Sequence, residues 1–122
     1  MFELSVQREF DAAHAIVMNG VREESHRHVW IVTLVVTGDR LDDDGLLCDF
    51  HLVERALDET LSPFHGVDLN ESPPFDRINP TAELVAKHVG ETVAKRLDGT
   101  VRVDQITITE APGCAATFHL PQ

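Results

Sequence analysis

Positive charge is scarce in this chain: 10 lysines and arginines stand against 21 aspartates and glutamates, for a formal net charge of −11 at pH 7. That imbalance excludes sequence-independent binding to nucleic acid, which needs a basic face, and disfavours a polyanionic protein partner. A small anionic substrate held by a local metal remains compatible with it. Cysteine is nearly absent too. Cys48 and Cys114 lie far apart with neither zinc nor redox spacing, so free thiols in a reducing cytoplasm are expected. No apolar run approaches the roughly 20 residues of a membrane span, and Met1-Phe2-Glu3 does not open a secretory leader. Repeats, low-complexity tracts and linkers are also missing. With 122 residues, 43% apolar and 25% charged, the expectation is a single globular domain over 1–122.

What the chain does have is histidine in a pattern. In Ser25-His26-Arg27-His28-Val29-Trp30 two histidines open a long apolar strand, and alternation sends His26 and His28 to one face. Imidazoles so placed can share one metal ion, each about 2.0–2.1 Å from zinc. His14 ends the preceding strand, and antiparallel pairing would bring it to the same end of the sheet. Three protein ligands with a fourth position open are the arrangement of a catalytic zinc. The alternative is a set of surface histidines at a strand end.

Residues 2–11 alternate Phe2, Leu4, Val6 and Phe10 against polar partners, which predicts a half-buried strand whose apolar face shares the parity of His14; Ala12-Ala13 is a place for it to bend. Residues 15–25 read as a loop with Asn19-Gly20 as its turn. Residues 28–37 are apolar on both faces, Trp30, Val32, Leu34 and Val36 on one, Val29, Ile31 and Val35 on the other, so both faces should be covered. Asp42-Asp43-Asp44-Gly45 reads as a solvated acidic turn. Asp49 should cap a helix over 50–61 with Phe50, Val53, Leu57 and Leu61 along one stripe and His51 towards solvent. An irregular, proline-rich segment, 62–79, precedes a second helix that starts at Pro80-Thr81-Ala82-Glu83 and ends at Gly99. Its inner face is Ala82, Val85, Ala86, Val89, Val93 and Leu97, with His88 partly buried beside it. Strands over 100–110 and 115–120 follow. The order β-β-α-α-β-β predicts an α+β fold: a four-stranded antiparallel sheet with two helices on one face. Its uncovered face implies a second subunit.

In order and spacing, Phe10-x-Ala12-Ala13-His14, His26-x-His28, Gly45-x-x-x-Asp49-Phe50, Leu69-Asn70, Pro80-Thr81-Ala82-Glu83 and Thr109-Glu110 make the chain resemble the 6-pyruvoyl and 6-carboxytetrahydropterin synthase family. The resemblance implies the tunnelling fold, in which three subunits close their sheets into a barrel and two trimers stack. It implies Zn2+ on His14, His26 and His28, active sites between subunits of a homo-oligomer, and a pterin-like small-molecule substrate. Glu110 matches the glutamate that anchors the pterin, and Thr81 and Glu83 match residues lining its pocket. In that family a cysteine, backed by an Asp-His pair, takes a proton from the side chain of dihydroneopterin triphosphate, and triphosphate is eliminated.

Three positions depart from the pattern. Arg22 stands where the cysteine is expected, Arg27 replaces the glycine between the two histidines, and the Asp-His pair becomes His65-Gly66 or Phe64-His65, depending on the alignment. His65 is then the surviving member of the relay. Glu23, three residues before His26, matches the glutamate that some members carry in place of the cysteine; as a carboxylate beside zinc it is the candidate base, with Glu24 next. Cys114, close to Glu110, is a weaker alternative, and Cys48 packs as a small apolar residue. Elimination, retro-aldol cleavage to 6-hydroxymethyl-dihydropterin, and zinc- and pterin- or purine-binding without turnover all remain open.

Overall fold

Alternation at the N-terminus builds a longer strand than expected. The structure, a computed structural model, describes residues 1–97, 99 and 101–121. Strand β1 (Phe2–His14) runs unbent through Ala12-Ala13, because each of its residues pairs antiparallel with the later strand 26–38 and its backbone groups stay satisfied. Val6, Phe10, Ala12 and His14 are buried on one face. The following loop is a small hairpin, β2 (Val17–Met18) and β3 (Val21–Arg22). Asn19 and Gly20 turn it with φ values of 52° and 79°, the paired left-handed conformation that asparagine and glycine favour.

Strand β4 (His26–Gly38) buries Trp30, Val32, Leu34 and Val36 completely. On its other face Val29 is 50% exposed, so one face alone is covered within this chain. The acidic turn beyond it is closed by Asp42, whose Oδ1 accepts from the amides of Asp44 and Leu46, as a solvated turn should be. Helix α1 (Phe50–Leu61) starts where Asp49 accepts from the His51 amide, and buries Val53, Ala56, Leu57, Thr60 and Leu61. Phe50, expected on that stripe, is 50% exposed: at the first helical position it precedes the turn that meets the core.

The proline-rich segment is more regular than its composition suggests. It forms single 3₁₀ turns at Ser62–Phe64 and Leu69–Glu71 and a short strand, β5 (Val67–Asp68), parallel to Ala12-Ala13. Helix α2 (Ala82–Arg96) is capped by Thr81, which accepts from the Leu84 amide; all six expected inner-face residues are buried. Strands β6 (Arg102–Ala111) and β7 (Cys114–His119) form the last hairpin. The expected strand start at Thr100 and the chain's last residue, Gln122, lie outside the described residues.

The sheet order is β5-β1-β4-β6-β7, the four expected antiparallel strands with β5 added as a parallel edge. Helix α1 packs on β1 and α2 on β6 and β7, so both helices cover one face. At Gly90 a Cβ would stand 3.2–3.3 Å from Leu120, Ile106 and Phe118; the absent side chain lets α2 lie close on the hairpin. No helix among the described residues is long and apolar enough to cross a membrane.

His88 is a half-buried titratable group beside this core. Its ring lies edge-on to Phe64 and Phe75. Burial lowers its pKa below the usual 6.5, opposed by Glu91 and reinforced by Lys95. A histidine harder to protonate in the folded chain than in the unfolded one stabilises the fold above pH 6.5 and loses that contribution as pH falls below it. Denaturant midpoints at pH 7.5 and pH 5.5 should therefore differ more in the wild type than in His88→Gln; equal differences would contradict the assignment.

Candidate metal centre

Register brings the three histidines together. In the β1–β4 ladder His14 pairs with His26 and Ala12 with His28, so all three rings share the buried face. Trp30 forms the floor. Its ring centroid is 4.6 Å from that of His14 and 4.5 Å from that of His28, and its indole N–H donates to the Ala12 carbonyl. Glu110 approaches from β6, where it shares the parity of buried Ile106 and Ile108. One ligand atom from each of His14, His26, His28 and Glu110 falls within 4.8 Å of all the others.

The hydrogen bonds around this group decide which atoms face inward. The Nδ1 of His14 is 2.8 Å from the Pro80 carbonyl and that of His28 is 3.1 Å from the Val29 carbonyl. A carbonyl can only accept, so each Nδ1 carries a proton, and in the neutral ring Nε2 is then the nitrogen with the lone pair. The His14 Nε2 is then 3.1 Å from the His26 Nε2, 3.2 Å from the His28 Nε2 and 2.9 Å from Glu110 Oε1. His14 is 1% exposed, and burial lowers its pKa, opposed by Pro80 and then Glu110, with the neighbouring imidazoles adding to the lowering. Four ligand atoms that converge in this way fit a cation, and three imidazoles with a carboxylate suit zinc. The Pro80 carbonyl on the far nitrogen of His14 fixes the orientation of that ring, as such partners do for ligating histidines.

The other expected site residues divide. Glu83 and Glu110 line a cavity of about 460 Å³ with Ala82, Cys114 and the start of β7. Glu110 therefore belongs both to that cavity and to the histidine group. Thr81, next to Ala82, is the helix cap. The Glu23 carboxylate lies beside the outer nitrogen of His26, with Oε1 3.8 Å from Nδ1, and the same oxygen accepts from the Ile16 amide. Glu24 is exposed. His65 is not brought to the group. It is exposed, its ring edge-on to Phe10, and Phe10 stands four strand residues, roughly 13 Å, before His14. Arg27 points to the opposite face, towards Asp11 at 3.5 Å. Arg22 lines a separate cavity with Asn70, Arg77 and Asn79. Cys48 and Cys114 are both free, and burial raises the Cys48 pKa, with Asp49 adding to the shift.

Two residues beside the centre give little warning in the sequence. The Asn70 side chain accepts from the Ala15 amide and donates to the Ala15 carbonyl, both at 2.8 Å. Asn79 does the same for Val17, both at 2.9 Å. Asn70 follows Leu69 in a recognisable pair, yet only the fold reveals what its amide touches.

A mixed sheet backed by two helices, with three histidines and a glutamate converging at one end in an arrangement that suits a metal ion, defines a small α+β protein. The chain belongs to the 6-pyruvoyl tetrahydropterin synthase family, whose model matches residues 3–121. It is 32% identical over 123 residues to the 6-carboxy-5,6,7,8-tetrahydropterin synthase of Bacillus subtilis (strain 168), covering 96% of this chain and 77% of that protein. Among solved structures it is similar to the 6-pyruvoyl tetrahydropterin synthase of Caenorhabditis elegans, with a TM-score of 0.84 at 18% identity over 99% of this chain and 98% of that one. The Plasmodium vivax 6-pyruvoyl tetrahydropterin synthase gives 0.79 at 19% identity over 98% and 97%. The fold is therefore the tunnelling fold.

Metal analysis of the purified protein should find about one zinc per chain, and His14→Ala, His26→Ala and His28→Ala should each lose most of it, because two imidazoles make a poor tetrahedral site. Normal occupancy in any one variant would remove that residue from the centre.

Proposed function

We propose that the protein is a zinc-dependent lyase acting on the side chain of a dihydropterin such as 7,8-dihydroneopterin triphosphate. The observation that carries this reading is the union of two features at Glu110: four converging ligand atoms, and a cavity of about 460 Å³ that Glu83 and Glu110 line. Zinc held by His14, His26 and His28 would acidify and orient the side-chain hydroxyls and stabilise the negative charge that develops on the substrate. Glu110 and Glu83 offer carboxylate acceptors to the amino and ring N–H groups of a pterin, and Thr81 fixes the start of α2 beside them.

Glu23 is the proposed base. The Plasmodium vivax enzyme has been solved with a catalytic residue, a glutamate, replaced by alanine and by cysteine, which supports a carboxylate doing this work in the family. In this chain Glu23 Oε1 is engaged by the Ile16 amide, so Oε2 would accept the substrate proton. A carboxylate base and Arg22 at the cysteine position favour retro-aldol cleavage to 6-hydroxymethyl-dihydropterin over triphosphate elimination. A homo-oligomer, a trimer or a dimer of trimers, would cover the half-exposed apolar face around Val29 and complete the site, and the two free thiols suit a reducing cytoplasm. A second reading, a zinc- and pterin- or purine-binding protein without turnover, is favoured by Arg22 at the cysteine position and by the loss of the intact Asp-His pair.

Product analysis from dihydroneopterin triphosphate separates these readings. Formation of 6-hydroxymethyl-dihydropterin is expected, with Glu23→Gln retaining zinc and lowering turnover about a hundredfold or more, the scale of a general base. Glu24→Gln is the control and should stay near wild type. Wild-type rates in Glu23→Gln would end the assignment of the base, and saturable binding without product from any dihydropterin would favour the binding protein.

A further inference from the structure

The segment Ala15–Val17 joins the His14 ligand to the hairpin that carries Glu23, and its backbone is satisfied in an unusual way. In an extended chain, alternate residues direct their N–H and C=O groups to opposite edges. On one edge, Ala15 and Val17 each bond both groups to a single side-chain amide, Asn70 and Asn79 respectively, at 2.8–2.9 Å. On the other edge, the Ile16 amide donates to Glu23 Oε1 and its carbonyl accepts from the Glu23 amide, both at 3.0 Å. No backbone strand lies along the first edge. A carboxamide carries one acceptor and donors in the arrangement of a peptide group, so two asparagines take the place of a neighbouring strand.

Both asparagines come from the stretch between α1 and α2, and one of them is tied directly to the metal centre. Asn79 is followed by Pro80, whose carbonyl orients the His14 ring, and the Asn79 carbonyl accepts from the amide of Thr81, the cap of α2. We propose that Asn70 and Asn79 are positioning residues that lock Ala15–Val17 as a pseudo-strand and so fix His14 and Glu23 relative to each other. Among the described residues the carboxamides are the partners of the Ala15 and Val17 backbone groups; without them these groups would turn to water, and the turn after His14 would lose its fixed direction. Groups bonded directly to a ligating histidine, as the Pro80 carbonyl is to His14, govern metal affinity by about ten- to a hundredfold, and Asn79 precedes Pro80 in the chain. The consequence for zinc rests on the metal reading above, whereas the pseudo-strand itself does not.

The test therefore has two arms, both on the full chain. In the metal-free protein, amide hydrogen exchange at Ala15 and Val17 should be slow in the wild type, fast at Ala15 in Asn70→Ala, and fast at Val17 in Asn79→Ala. Zinc affinity, measured by competition with a chromophoric chelator, should fall at least tenfold in each variant. Leu57→Ala, which removes a buried α1 side chain outside the centre, provides a protein of reduced stability whose zinc affinity should stay near wild type. If Asn70→Ala does not fold, Asn79→Ala, whose bonds lie at the exposed end, carries the test alone. Wild-type zinc affinity in the asparagine variants, or an equal loss in Leu57→Ala, would overturn the positioning role. Fast exchange at Ala15 and Val17 in the wild type would overturn the pseudo-strand. A wild-type protein that takes up no zinc but protects both amides would end the metal reading and leave the pseudo-strand standing.

Discussion

The antiparallel register of β1 on β4 is the constraint on which the rest depends. Thirteen residues pair without interruption, from Phe2 opposite Gly38 to His14 opposite His26. Because side chains alternate with a period of two, a slip of one residue would carry either strand's histidines to the other face. The apolar pattern forbids that slip. Val6, Phe10 and Ala12 on β1, with Trp30, Val32, Leu34 and Val36 on β4, are buried on the same face as His14, and fully burying each large side chain is worth about 1.5–3 kcal/mol. The core thus fixes the register, and the register gathers three imidazoles at one end of the sheet.

Much of this was legible because periodicity and parity are local. The parity of His14, the His26-x-His28 pair, the Asp49 and Thr81 caps and the inner face of α2 follow from short windows of sequence. Features that depend on distant partners were not. Ala12-Ala13 reads as a bend until β4 is seen to pair through it, and Val67-Asp68 is too short to announce a strand. Phe50 fits the helical stripe but sits before the first turn that reaches the core. His65 illustrates the limit of a motif: it follows a recognisable pattern, yet its ring lies against Phe10 rather than at the histidine group.

Glu110 and Glu23 approach the histidine group from different elements. The parity of Glu110 on β6 turns it inward, where its carboxylate meets His14 on one side and the cavity beside Glu83 on the other. A ligand entering that cavity meets the carboxylate that also faces the metal position. Glu23 lies on the opposite flank, against the outer nitrogen of His26 and bonded to the Ile16 amide. The centre is thus bounded by two carboxylates reached from different elements, and its apolar floor, Trp30, comes from the strand that supplies two of the histidines.

The most direct measurement of this account is anomalous diffraction at the zinc absorption edge from crystals of the metal-loaded protein. A single peak is expected about 2.0–2.1 Å from the Nε2 atoms of His14, His26 and His28, with each Nδ1 of His14 and His28 still on its backbone carbonyl. Zinc bound through Nδ1, or found at the acidic turn around Asp42 with the histidine group empty, would contradict it.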